Sequence, residues 1–185
     1  MASVLPVILT LLLSSPSSSL STHPNPSSPL PPSNLITSTC NATTYYDFCV
    51  SSLSSSSSNA TSVKSLSTVL ISLAIANATN TSSFAFSRSK STSKNPTLSS
   101  LYRACAEKYT HARESLQSSL DEISNEEYDY AFVHVSAGAE YANVCRVLFR
   151  RTNGTVVVYS VEMAKREEVL ERLCAVTLDV ISLLG

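Results

Sequence analysis

The sequence has no tryptophan, only two methionines and three glycines, and no charged residue before Asp47. Gly138, Gly154 and Gly185 are too few and too scattered to build a phosphate-cradling loop or a strand–turn–helix nucleophile elbow. Of three histidines, His23 lies in a Pro/Ser-rich stretch, which leaves His111 and His134. Neither H-E-x-x-H nor C-x-x-C occurs, so no metal or other cofactor is expected. A formal net charge of −1 supplies no basic stripe for nucleic acid and no field for a polyanionic polysaccharide. Arg88, Lys90 and Lys94 are a local basic group, which a solvated linker explains.

What the sequence does hold is serine, apolar residues and cysteine. At 185 residues with 43% hydrophobic content, one domain with a sizeable core is expected, with roughly thirty residues to spare at the front. Residues 4–13 form an apolar run too short to span a bilayer, and small residues follow at 14–22. That order reads as a secretory signal peptide over 1–22, although the usual positive leading segment is missing. Residues 23–38, rich in Pro and Ser, should be disordered, with the folded domain over 39–185. Asn41, Asn59, Asn77, Asn80 and Asn153 each begin an N-x-[ST] sequon, as suits an extracellular chain. With the leader removed, no membrane association is expected, and the protein belongs outside the cell.

From Cys40 onward the apolar spacing is helical. Val63, Leu66, Val69, Leu70, Leu73 and Ala74 recur at three and four residues, and 91–96 breaks the pattern at a proline. Leu98, Tyr102, Cys105, Tyr109, Ala112, Leu116, Leu120 and Ile123 make one long stripe. Glu126, Glu127 and Asp129 suit the N-terminus of a third helix, where the macrodipole favours anions. Val133, Ala137, Val144 and Leu148 are its expected apolar positions. Leu170, Leu173, Cys174, Thr177, Val180 and Ile181 mark the last helix, and only 155–159 alternates like a strand. The pattern predicts an all-α, up-and-down four-helix bundle with a short helical extension at its N-terminus. Tyr102, Tyr109, Leu116, Val133, Leu173 and Val180 are its expected core.

Five cysteines in a secreted chain suggest two bridges and a leftover thiol, and spacing alone does not choose the pairing. Cys40 and Cys49 are close in sequence, so a local hairpin bridge is natural. Cys105 and Cys145 lie on consecutive helices and can meet across them. Such loops would contribute about 2.7 and 3.9 kcal/mol in the chain-entropy picture. Cys174 sits on an apolar stripe and reads as a small hydrophobe. No reaction centre assembles elsewhere. The serine tract at 54–58 is linker, and Asp121, Glu122, Glu126, Glu127 and Asp129 occupy a turn, where solvation explains them better than acid–base work.

Four segments resemble one family. Cys40-Asn-Ala-Thr-Thr-Tyr-Tyr-Asp-Phe-Cys49 resembles the opening C-x(8)-C of the plant invertase and pectin methylesterase inhibitors. Tyr102-Arg-Ala-Cys-Ala-Glu-Lys-Tyr109 is similar to their second-helix cysteine segment, and Val135-Ser-Ala-Gly-Ala with Val144-Cys145 to their third-helix pattern. Leu170-Glu-Arg-Leu-Cys-Ala-Val-Thr-Leu-Asp-Val-Ile-Ser-Leu-Leu184 is like their closing helix, unpaired cysteine included. The resemblance implies bridges Cys40–Cys49 and Cys105–Cys145 with Cys174 free, and a disulfide-bonded helical hairpin ahead of the bundle. It also implies a one-to-one complex that occludes the active-site cleft of a cell-wall enzyme, with no catalysis by this chain. Ending at Gly185, the chain is expected to be an independent inhibitor rather than the pro-region of a larger esterase.

The target is the harder question. Family members that inhibit invertase often carry Pro-Lys-Phe near the start of the third bundle helix, where this chain has Tyr128-Asp129-Tyr130. Glu127-Tyr128 and the last-helix cysteine resemble pectin methylesterase inhibitors instead, whereas Val144 replaces a threonine frequent among them. Pectin methylesterase is therefore the favoured partner, in the apoplast or cell wall. A cell-wall or vacuolar invertase is the alternative, and a bundle with no target is a third reading. The resemblance places the inhibitory surface on the second and third bundle helices. On the former, Glu107, His111 and Glu114 share one face by spacing; on the latter, Ser136, Glu140 and Asn143 do, bordered by Val144. His111 is of the residue type whose charge changes in mildly acidic solution. Peptide mapping without reduction should recover Cys105 joined to Cys145 and Cys174 as a free thiol. A Cys174 link to either would overturn the pairing, and Cys145→Ser should cost ~2–5 kcal/mol of stability.

Overall fold

The computed structural model describes residues 32–56, 59–150 and 159–185. The expected leader at 1–22, Asn153 and all but the last residue of the candidate strand at 155–159 lie outside them. All regular structure among the described residues is helical, in six segments: α1 (Pro32–Cys40), α2 (Tyr46–Ser54), α3 (Val63–Ser91), α4 (Pro96–Ser124), α5 (Tyr128–Arg150) and α6 (Val161–Ile181). α3 and α4 have 29 residues each, roughly 43 Å of helix, and are longer than the apolar spacing alone suggests.

Local chemistry fixes where these helices begin. Ser62 accepts the Ser65 N–H on its side chain, while Ser65 Oγ accepts the Ser62 N–H at 3.0 Å, a reciprocal cap for α3. Asn95 Oδ1 accepts the Leu98 N–H at 3.0 Å, and Pro96 occupies the first position of α4, where its missing N–H costs nothing. Ser160 Oγ accepts from Met163 N–H to cap α6. Between α4 and α5 the turn is short because Glu126 adopts φ 64°, a left-handed conformation, and Lys64 Nζ pins it with a 3.0 Å ion pair. Arg88 and Lys90 are not linker residues. They close the last turn of α3, with Lys90 over the Phe86 ring and Arg88 over Tyr102.

The long helices form a ring in chain order: α4 packs on α3 and α5, and α6 on α3 and α5. Its core runs through Ile71, Ala74 and Ala78, Tyr102, Tyr109 and Leu116, Val135 and Ala142, and Leu170 and Leu173. The α1–α2 hairpin, closed by the Cys40–Cys49 disulfide with Cα atoms 5.6 Å apart, packs on α3 and α6. There Leu35, Ile36 and Leu53 meet Leu66, Leu70, Val176 and Val180 in a second core. Thr44 N–H also donates to Asp179 Oδ2 at 2.7 Å. α1 takes in residues 32–38, which composition placed in the disordered segment. Burial of Leu35 and Ile36 against the bundle supplies what the Pro/Ser composition lacks.

The phase of α5 differs from the expected one. Its buried positions are Ala131, Val135, Gly138, Ala142, Cys145 and Phe149, whereas Val133 is 60% exposed. Cys105 and Cys145 are bonded with Cα atoms 4.9 Å apart, and this close approach turns the small-residue face of α5 inward. A Cβ on Gly138 would lie 2.9 Å from Leu116 Cγ, so no larger residue fits without a shift. Val133, two residues from Val135, is left on the other side. Tyr109→Ala should therefore lower stability by ~3–5 kcal/mol, while Val133→Ala should stay within about 0.5 kcal/mol. Denaturant melts of both variants test this, and equal losses would show the phase to be wrong.

Candidate functional site

Because the hairpin occupies the α3–α6 edge, the outer faces of α4 and α5 stay open. Contacts that hold these helices in register include the Cys105–Cys145 bridge and Ser115 Oγ, which donates to the His134 carbonyl at 2.9 Å. Between them the His111 ring lies against Tyr141, with centroids 5.5 Å apart and planes tilted by 42°. His111 Nδ1 is 3.3 Å from Glu114 Oε2, and Arg113 Nη2 donates to Glu114 Oε1 at 3.2 Å. Glu107, His111 and Glu114 are all exposed and share one face of α4. Glu107 and His111 also wall a groove of about 550 Å³ that α3 completes with Ser82, Ser83 and Phe86.

The expected α5 set divides. Glu140 is exposed beside Tyr141, and Ser136 is half-buried with its hydroxyl donating to Phe132 O of its own helix at 2.9 Å. Val144 is half-buried. Asn143 is drawn towards α6, because its Oδ1 accepts from Arg146 Nη2 at 3.2 Å and Arg146 pairs with α6 carboxylates. Sequence spacing missed Tyr141, Tyr130 and Val133 as surface residues. Tyr130 and Val133 are the most exposed large apolar side chains of α5. The correct helix phase, anchored on Gly138 and Cys145, was the signal that would have found them.

Arg146 belongs to a buried polar cluster at the other side of α5. Its Nε lies 2.9 Å from Glu167 Oε1 and its Nη2 2.8 Å from Glu171 Oε1, while Tyr159 donates to Glu167 Oε2 at 2.6 Å. Glu167 is only 2% exposed. Burial raises its pKa above the usual carboxylate range, and the Tyr159 hydrogen bond and the Arg146 charge only partly offset this. The Tyr109 and Tyr159 hydroxyls are pushed up as well, mainly by burial. Burial raises the free Cys174 thiol to about 12, so it stays protonated and unreactive. Among the described residues no group of His, Cys, Asp and Glu is arranged to hold a metal. The α4–α5 edge presents exposed carboxylates, Arg113 and the His111–Tyr141 ring pair on one surface.

Residues 34–180 match the family model described as plant invertase/pectin methylesterase inhibitor. The chain is 39% identical over 174 residues to pectinesterase inhibitor 28 of Oryza sativa subsp. japonica, covering 87% of this chain and 76% of that protein. It is 35% identical over 143 residues to cell wall / vacuolar inhibitor of fructosidase 2 of Arabidopsis thaliana, covering 77% and 78% respectively. In fold it is similar to a crystal structure of a pectin methylesterase inhibitor from Arabidopsis thaliana, at TM-score 0.61 and 19% identity, covering 81% of this chain and 95% of that one. A mutant form of an Arabidopsis pectin methylesterase inhibitor gives TM-score 0.63 at 20% identity over 79% of this chain and 94% of that one.

The Glu167 cluster sets a pH dependence. A carboxyl whose folded-state pKa is raised binds its proton more tightly in the folded state. Its contribution is therefore fully present below the ordinary value of 4.5 and is lost as pH rises through the raised one. Chemical denaturation from mildly acidic to neutral pH should show stability falling more steeply with pH in the natural protein than in Glu167→Gln. Parallel slopes would remove Glu167 as the cause.

Proposed function

We propose, from the premise that this chain belongs to the plant invertase/pectin methylesterase inhibitor family, that it binds pectin methylesterase through its α4–α5 edge in a one-to-one complex that blocks the active-site cleft. Membership makes it a proteinaceous inhibitor and not an enzyme. The observation that carries the surface assignment is the placement of the hairpin. It covers the α3–α6 edge and leaves Glu107, His111, Glu114, Glu140 and Tyr141 open on the opposite one. An aromatic centre within a rim of mixed charge, Glu107, Glu114 and Glu140 beside Arg113, suits a partner with a complementary pattern, since complementary charge speeds encounter and fixes orientation.

Two observations favour pectin methylesterase as the target. The greater identity, over more of the chain, is to a pectinesterase inhibitor. The first turn of α5 carries Tyr128-Asp129-Tyr130 where invertase-directed members of the family often have Pro-Lys-Phe. Similarity to an inhibitor of fructosidase supports invertase as the second reading. Action in the apoplast follows from the leader-like N-terminus and the sequons.

Titrating the purified protein against both enzymes in mildly acidic buffer separates the readings: only pectin methylesterase should lose activity, with an equivalence point at one inhibitor per enzyme. Glu107→Lys combined with Glu114→Lys should weaken that inhibition about tenfold or more, equivalent to about 1.4 kcal/mol of binding. Unaltered inhibition by a double variant with a normal melting curve would move the docking surface off α4.

A further inference from the structure

We infer that N-linked glycans occupy Asn41, Asn59 and Asn80 but not Asn77, and that they clothe the hairpin and α3 while leaving the α4–α5 edge bare. Each of the three side chains is exposed. Asn41 stands in the turn between α1 and α2, directly after the bridged Cys40 and close to Tyr45 and Tyr46, which are also exposed. Asn59 lies in the connection to α3. Asn80 is on the outward face of α3, between the buried Ala78 and Thr81. Asn77 is different. It is half-buried and lines the hollow between α2, α3 and α6 with Phe48, Leu73, Val169 and Leu173. A sugar there would stand where the hairpin approaches the bundle.

The chemistry is a substitution with no redox change. Asn Nδ2 attacks the anomeric carbon of a lipid-pyrophosphate-linked oligosaccharide in the secretory pathway. The C1–N bond forms, the C1–O bond breaks, and lipid pyrophosphate leaves with the electron pair while an amide proton passes to a base of the transferase. Attachment precedes folding, so the folded structure decides which modified chains survive, and only a solvent-facing asparagine is compatible with the packed bundle. α4, α5 and α6 contain no sequon; Asn95-Pro96-Thr97 at the start of α4 has the one central residue that blocks the reaction. The described sequons therefore fall in the hairpin turn, in its connection to α3 and on α3, and the hairpin sits on the edge opposite α4–α5. Asn153 lies outside the described residues.

The bare-edge half of the inference rests on the proposed inhibitory surface, and the experiment separates the two. The full chain is secreted from plant cells, treated with a glycan-releasing amidase in heavy-oxygen water and mapped by mass spectrometry, with its N-terminus sequenced in parallel. Labelled aspartate at 41, 59 and 80 with unmodified Asn77 is expected. Label at 77, or none at the other three in a chain whose leader has been removed, overturns the glycan assignment. Retention inside the cell with Met1 intact overturns the secretory reading and the glycans with it. Replacing Asn41, Asn59 and Asn80 by Gln, singly where the triple variant is not secreted, should leave inhibition within about twofold. Gln117→Asn creates a sequon with Ser119 at an exposed position one turn beyond Glu114; its glycosylated form should inhibit at least about tenfold less and recover on glycan removal. Full inhibition by that glycosylated variant would overturn the α4–α5 surface while the mapped glycans stand.

Discussion

The approach of α4 to α5 sets the geometry of the bundle. The Cys105–Cys145 bridge holds one pair of Cα atoms 4.9 Å apart, and with each Cα about 2.3 Å from its own axis the two axes are at most about 9.5 Å apart there. The contact is made at small residues: a Cβ on Gly138 of α5 would meet Leu116 and the Ala112 carbonyl of α4. Leu116 fills the space over Gly138 and leaves no room for a Cβ. Once this face is turned inward, the outward position of Val133, Tyr130 and Glu140 follows from helix geometry. The surface proposed for binding is thus set by core packing on the reverse side of the same helices.

A second constraint acts between α5 and α6. Arg146, Glu167 and Tyr159 place charged and polar groups where a bundle of this size would otherwise bury apolar ones. Removing any one partner would leave another buried without compensation, a larger loss than the net worth of the cluster. The cluster orients α6 relative to α5 through directional contacts, as Ser82 does between α3 and α4 by donating to the Ala106 carbonyl at 2.8 Å. It also draws Asn143 towards α6, so that the face proposed for binding is mainly that of α4 with Glu140 and Tyr141 of α5.

The two edges of the ring have different work. The α3–α6 edge is closed by a disulfide-braced hairpin with its own apolar cluster, and it carries the described sequons. Among the described residues nothing covers the opposite edge, and its helices carry no sequon. Because the bridge and the Ser115–His134 hydrogen bond fix the register of α4 on α5, the surface is ordered before any partner arrives. Such pre-organisation reduces the entropy lost on association.

By itself the sequence determined the helical class, the four long helices, their breaks at Pro96 and Asn125, and the cysteine segments by which the family is recognised. These are legible because periodicity, capping residues and turn formers act within a few positions of one another. The shared face of Glu107, His111 and Glu114 was legible for the same reason, since one helix alone sets it. The phase of α5 was decided only by the tertiary structure. Its sequence offers two apolar faces, one through Val133 and Val144 and one through Val135 and Ala142, and local spacing does not distinguish them. The choice depends on Leu116 and Cys105, which lie some twenty to forty positions earlier in the chain. The helix at 32–40 was likewise invisible to composition, because Leu35 and Ile36 order the segment only when Val176 and Val180 are there to bury them.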